Sequence, residues 1–436
     1  MDDAIMQGTT AIVVLLILGA IGVPVAFSMI SVGIVGMWWV GGIDFMASAL
    51  KTLPFQAVSD YAFAVIPMFI FMGALAAAAG ITVELYDVFH RLLSRVRGGL
   101  YMATTVASGV FAAVSGSTIV NAAVFTRIAL PEMIKHGYDK GASAGCIAAA
   151  GTFAALIPPS ISLVVVAILT DASIGQLLMA GILPGLLTIL IYVVGIAILV
   201  RIKPQWAPRQ PQHYPFREQL AGLARLLPTL ALIVIVLGGI YTGIMFPSSA
   251  GAVGAAGALL IALVRRRMSW MKLWDAIKSS AISTAVLFFI IIGGLLFSRF
   301  LTYSGFITEF SDMVAGWDMT LTQLMLVLCV FYVVLGMFVD PLSMMLVTIP
   351  FVFPVASGLG VDVIWFAVIV VKLVEIAAIT PPVGLNLFAV ISASDKSVGS
   401  AEIFRGIVPF VLMEFVVLGL LVAYPEISTW LPGQMN

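Results

Sequence analysis

The chain has 436 residues, 62% hydrophobic and only 10% charged, whereas soluble domains carry about a quarter charged residues. Lipid must therefore solvate most of it. The formal net charge of zero leaves no electrostatic case for a nucleic-acid partner. The opening Met1-Asp2-Asp3-Ala4 is acidic and has neither a basic n-region nor an obvious cleavage site, so no removable signal peptide is expected. Apolar runs of spanning length follow at 10–42 (enough for two), 63–79, 140–170, 177–200, 226–244, 247–264, 283–302, 361–393 and 404–424, about ten spans of an all-α polytopic membrane protein.

Two further runs, 99–134 and 320–357, are split near the middle by polar or helix-breaking residues. Each piece is roughly 15 residues, about 22 Å at helical rise, too short for a hydrocarbon core of about 30 Å. They read as re-entrant helical hairpins, which are tolerated where protein or a water-filled cavity shields the broken backbone. If the amino terminus lies outside the cell, 17 of the 21 Lys and Arg residues fall in the inner segments 81–98, 132–140, 201–225, 265–278 and 394–405, as the positive-inside rule requires. Both termini are then periplasmic in a bacterial inner membrane. Lys51 falls in an outer loop, and Arg127, Arg299 and Lys372 lie within apolar runs.

The segment 201–225, punctuated by Pro204, Pro208, Pro211 and Pro215, reads as a linker between halves. Ile81 to Val96 and Ile307 to Trp317 carry apolar stripes with charged residues between, the pattern of helices lying in the interface. Sliding the chain on itself by 223 positions superposes Pro131 on Pro354, Gly137 on Gly360, Asp139 on Asp362 and Pro158-Pro159 on Pro381-Pro382. With small drift the match adds Asp171 with Asp395 and Gly80 with Gly305. Because the halves begin on opposite sides, these are inverted repeats, and with interrupted helices they point to a secondary transporter.

The residues suited to chemistry cluster at the interruptions. The first hairpin breaks at Ser115-Gly116-Ser117-Thr118, with Asn121 one turn later, and the run 140–170 breaks at Ile157-Pro158-Pro159-Ser160. The second half supplies Asp340-Pro341 after Gly336, and Thr380-Pro381-Pro382-Val383-Gly384 with Asn386 beyond. Prolines remove donors and leave carbonyl groups without helical partners; such carbonyls suit sodium, and half-helix amino ends suit a carboxylate. The alternative is close packing by small residues. Asp340 is either a functional carboxylate or a helix cap. Lys372 and Glu375 stand three apart and can pair, while Glu414 fits either role. Cys146 and Cys329 form no disulfide or metal spacing, and His90, His136 and His213 read as surface residues. No cofactor and no enzymatic centre is expected.

At this point the chain resembles the large membrane (M, or DctM-like) subunit of tripartite ATP-independent periplasmic (TRAP) transporters. The resemblance rests on Phe111 to Ser117, Leu156 to Ser160, Gly336 to Pro341 and Glu375 to Asn386. It implies an elevator-type, sodium-driven importer of the ion-transporter superfamily, in which a periplasmic binding protein (P type) delivers an organic acid and a small four-helix subunit (Q type), separately encoded, completes the complex. By that resemblance Ser115, Gly116, Ser117, Asn121, Pro158, Pro159 and Ser160 form one sodium site. Asp340, Thr380, Pro381, Pro382, Gly384 and Asn386 line a second, with substrate against Ser117, Ser160 and Asn386. Scaffold would comprise 1–98 and 226–319, transport 99–200 and 320–425, and the linker 201–225. Rival readings are a binding-protein-independent sodium/carboxylate symporter, a non-transporting scaffold subunit and, last, an intramembrane hydrolase.

Overall fold

A computed structural model describes residues 2–208, 214–336, 339–395 and 397–435, and every regular element among them is helical. Pro211, His213, Met337 and Phe338 lie outside the described residues. The chain opens with α1 (Asp2–Ala20), α2 (Val25–Ser59), α3 (Val65–Ala78) and α4 (Ile81–Leu93). A hairpin of α5 (Gly99–Ser115) and α6 (Thr118–Lys135) comes next, then α7 (Lys140–Thr152), α8 (Ile161–Leu169), α9 (Ile174–Ala180) and α10 (Ile182–Ile202). The second half holds α11 (Phe216–Tyr241), α12 (Pro247–Val264), α13 (Trp270–Tyr303) and α14 (Phe306–Ala315). It continues with the hairpin α15 (Leu321–Leu335) and α16 (Pro341–Gly358), then α17 (Val363–Ile379), α18 (Leu385–Ala393), α19 (Ser400–Ala423) and the short α20 (Glu426–Thr429).

Nine helical segments among the described residues are long and apolar enough to cross a bilayer. Trp38 and Trp39 of α2, Leu190 of α10, Val234 of α11, Leu260 of α12 and Val286 of α13 are exposed, a belt that water would not tolerate and lipid tails solvate. The runs 140–170 and 361–393 are broken where expected, into α7 and α8 and into α17 and α18. Three of the four hairpin arms are longer than expected, at 17, 18 and 18 residues against 15 for α15, and Pro341–Gly358 meets the length and composition for a span. Lys51 is not in a loop, because α2 resumes after a non-helical Gly42 (φ 74°) and runs on to Ser59. The linker is shorter than 201–225, since helix restarts at Phe216.

Positions matched by the 223-residue slide adopt matching local conformations. Gly80 and Gly305 both take φ above 70° just before α4 and α14. Asp139 and Asp362 both cap the next helix, accepting backbone N–H bonds at 2.8 and 2.9 Å, and Asp171 and Asp395 share a left-handed backbone. The Pro158-Pro159 and Pro381-Pro382 bonds are both cis.

The arm helix α4 packs against both α5 and α11 rather than lying free. Thr82, Tyr86 and His90, spaced one turn apart, are therefore buried with the apolar stripe, and His90 is not a surface histidine as expected. Its ring sits among those of Tyr86, His136 and Tyr214. Glu84, on the other side of the helix, holds Arg267 at 2.7 Å and Arg265 more closely. Burial pushes the His90 imidazole below its ordinary value, so its neutral form contributes stability above about pH 6.5 that is lost as pH falls through the depressed folded value. Thermal stability should therefore drop between pH 7 and 5.5, and His90→Leu should flatten that part of the profile.

A close helix crossing joins α7 to α19. A Cβ on Gly145 would lie 2.8 Å from the Gly406 carbonyl group, and one on Gly406 would strike the Gly141 backbone, the small-residue contact that draws helices together where apolar burial cannot. Gly406→Leu should destabilise the purified chain by about 1–3 kcal/mol or more through overpacking, read as a lower Tm. Gly419→Ala on the same helix, where nothing stands within 4 Å, should leave Tm in place.

Candidate functional site

The α5–α6 tip turns because Gly116 takes φ 61°, a backbone region that side-chain-bearing residues resist. Ser117 then caps α6, its Oγ accepting from the Val120 N–H at 3.5 Å. A Cβ on Gly116 would stand 2.8 Å from the Pro159 carbonyl oxygen. The tip thus rests on the backbone of the first interruption, at a distance only glycine permits. There α7 passes through a turn at Phe153–Ala155, and the two prolines offer no N–H. Ser160 restarts the helix: its Oγ accepts from the Leu163 N–H at 3.1 Å and donates to the Ala155 carbonyl. Pro158, Pro159 and Ser160 are all buried. Ser115 Oγ, in a residue 3% exposed, has no hydrogen-bond partner.

Beneath the tip a polar string crosses three helices. Ser108 of α5 donates to Asn121 Oδ1 at 3.0 Å and to the Ala150 carbonyl of α7 at 2.9 Å, while Asn121 Nδ2 returns a bond to the Ser108 carbonyl at 3.2 Å. Asn121 is thus turned away from the tip and engaged at both ends. Asn386 of α18 donates to the Ala148 carbonyl at 3.2 Å, two residues along α7 from Ala150, and its buried Oδ1 has no partner. Of the two predicted asparagines, Asn386 keeps an open acceptor.

The second interruption is built differently. Asp340 caps α16, accepting from the Ser343 N–H at 3.0 Å. Gly336 packs on Ala377 near the end of α17. Thr380 Oγ1 donates to the Ile376 carbonyl at 2.6 Å, and Gly384 (φ 52°) precedes α18. Pro381 is half-buried, whereas Pro382 and Val383 are exposed. The structure therefore brings Gly116 of the tip onto Pro159 of the first interruption, while the Ser115 backbone packs against Gly73 of α3. Asp340 makes its hydrogen bond to its own helix and shares none with Thr380 or Asn386 among the described residues.

The expected Lys372–Glu375 pair is part of a larger cluster. Lys372 Nζ lies 2.7 Å from Glu375 Oε2, 2.5 Å from Glu414 Oε2 of α19 and 3.2 Å from Thr188 Oγ1 of α10, and Tyr192 donates to Glu414 Oε1 at 2.5 Å. Lys372, Glu375 and Glu414 are essentially unexposed. Sequence reasoning missed Ser108, Thr188 and Tyr192. Thr188 and Tyr192 meet partners 184 and 222 positions away, and no local pattern marks them. A serine at 108 inside an apolar helix was the one available sign. Arg299 places its guanidinium 5.9 Å from the centre of the Phe45 ring.

Asn121→Ala leaves the Ser108 hydroxyl without one partner in a dry setting and should cost about 1–3 kcal/mol, seen as a lower Tm. Ser115→Ala removes a hydroxyl that bonds nothing and should change stability by less than about 0.5 kcal/mol.

Residues 12–427 match the family described as the tripartite ATP-independent periplasmic transporter, DctM component. The chain is 35% identical to the C4-dicarboxylate TRAP transporter large permease protein DctM of Pseudomonas aeruginosa, over 88% of each chain. It is 32% identical to the Vibrio cholerae protein of the same name over 97% of each, and 28% identical to the sialic acid TRAP transporter large permease protein SiaM of Vibrio cholerae over 94% of this chain and 95% of that one. Among solved structures, the YdaH transporter of Alcanivorax borkumensis superposes with a TM-score of 0.60 at 14% identity, covering 88% and 89% of the two chains. MtrF of Neisseria gonorrhoeae gives 0.53 at 10%, covering 89% and 85%, so both report on fold alone. With its apolar belts and with a match over nearly its whole length, the chain is a multi-pass membrane protein that belongs to the DctM family of TRAP transporter large permease subunits.

Proposed function

We propose that this chain is the permease of a sodium-coupled importer that takes up an organic acid handed over by a periplasmic binding protein, in complex with a small membrane subunit. The observation that carries the reading is the seat of the α5–α6 tip on the Pro158-Pro159 interruption, with the unpartnered Ser115 hydroxyl buried beside it. Oxygen donors alone, from serine hydroxyls and unpaired main-chain carbonyls, suit a hard monovalent cation at this junction. On this reading Ser115, Gly116, Ser117, Pro158, Pro159 and Ser160 frame one sodium site. Asp340, Thr380, Pro381, Pro382, Gly384 and Asn386 frame the other, and a carboxylate lies between Ser117, Ser160 and Asn386. Asn121 braces the first site through α5 instead of facing the ion. The relatives' names, C4-dicarboxylate and sialic acid, both describe carboxylates, and a relative fused as DctMQ favours a Q-type partner.

The movement proposed is of the elevator type. The two hairpins re-enter the membrane and the halves are inverted, so 99–200 and 320–425 move as the transport unit against 1–98 and 226–319. Both termini then face the periplasm. Each sodium ion entering through 100 mV releases about 2.3 kcal/mol, so two suffice to drive a monoanion steeply uphill. In proteoliposomes holding the chain with its small subunit, uptake should need sodium and the binding protein and vanish in potassium buffer. Equal uptake of free substrate in potassium would contradict the reading. Ser115→Ala should raise the half-saturating sodium concentration about tenfold, or about 1.4 kcal/mol.

A further inference from the structure

The Lys372 cluster contains one more acid than base. Lys372 has three ammonium protons and three acceptors facing them: Glu375 Oε2, Glu414 Oε2 and Thr188 Oγ1. Thr188 in turn donates to the Pro184 carbonyl at 2.8 Å, so its oxygen is free to accept. The lysine is thus fully satisfied as a cation. Both Glu414 oxygens are engaged, one by Tyr192 and one by the ammonium. Glu375 Oε1 and Glu414 Oε2 are both buried without a hydrogen bond, but Glu414 Oε2 lies 2.5 Å from the ammonium, so of the four carboxylate oxygens Glu375 Oε1 is the one with neither a hydrogen bond nor an ion pair. Three ionised groups would leave a net negative charge in a fully buried place, which low-dielectric surroundings resist strongly.

The helices packed around α17 supply nothing to offset it. The Cys146 thiol of α7 is directed at the Tyr101 carbonyl and Thr105, and Tyr332 of α15 pairs with Thr348 of α16 at 2.6 Å. Helices α8, α9, α16 and α18 contain no ionisable residue. Lys140, Glu402, Arg405 and Glu426 stand exposed at helix ends.

We propose that the Lys372–Glu375–Glu414 cluster is a proton-binding site that holds one proton at Glu375 Oε1, which makes the joint between α10, α17 and α19 neutral. No bond other than O–H forms, and the proton comes from water during folding. The lysine already occupies the space between the carboxylates, so a metal cation has no oxygen cage left there. Resting on the transport reading, a neutral joint would let these helices move through lipid without carrying an unpaired charge. The protonation itself is independent of that reading and is tested without transport.

Infrared absorption of the full chain in lipid nanodiscs at pH 7 reads it directly. A protonated-carboxyl C=O band that shifts in D2O is expected. Glu375 and Glu414 are the only buried acids among the described residues, so such a band has no other buried origin. It should be lost in Glu375→Gln, and also in Glu414→Gln, where the remaining carboxylate pairs one-to-one with Lys372. A native chain lacking the band overturns the proposal whether or not either variant folds. A band that survives unchanged in Glu375→Gln overturns it too. Sodium-independent uptake alongside the band would sink the transport reading and leave the proton site standing.

Discussion

In a hydrocarbon core every main-chain N–H and C=O must find its partner within the protein, and the first hairpin tip and the first interruption answer to that demand. Where α5 stops, Gly116 reverses the chain and Ser117 recaps it. Where α7 stops, two prolines carry no donor to leave unpaired and Ser160 recaps α8. The Pro159 carbonyl is pressed against the α5–α6 tip instead of facing lipid. A cation attracted to such oxygen would complete a site that folding alone leaves short of partners.

The same constraint explains how so few polar residues organise a bundle this apolar. Without water to expel, lipid gives helices little reason to associate, and the contacts that fix their arrangement are small-residue crossings such as Gly145 on Gly406 and hydrogen bonds aimed at carbonyls of one helix. Ala148 and Ala150 of α7 receive Asn386 from the second half and Ser108 from the first, so α7 is one of the elements on which the halves meet. Lys372 performs the equivalent service for α10, α17 and α19, drawing on residues nearly half the chain apart.

Much of this was legible in the sequence because it depends on rare residues with strong local effects. Gly116, the two Pro-Pro pairs and the capping Asp139 and Asp362 announce their turns wherever they stand, and an excess of apolar residues announces lipid. What stayed hidden depends on neighbours distant in sequence. Lys51 reads as a loop residue until α2 is seen to resume beyond Gly42. The stripe of α4 reads as one-sided until the rings of His136 and Tyr214 are found beside His90. Asn121 reads as an ion ligand until its amide is found engaged by Ser108, and Glu414 has no partner until α17 is folded against α19. The asymmetry between a covered first interruption and an exposed second one is likewise tertiary, since the Pro-Pro strings are alike.

The central claim is that the junction of the first tip with the first interruption is a sodium site. Its most direct test is the reaction of Ser117→Cys, in a chain with Cys146→Ala and Cys329→Ser, with a membrane-impermeant thiol reagent in proteoliposomes. Sodium should slow that reaction severalfold while equal potassium does not. Identical rates in the two salts, at a thiol the reagent demonstrably reaches, would contradict it.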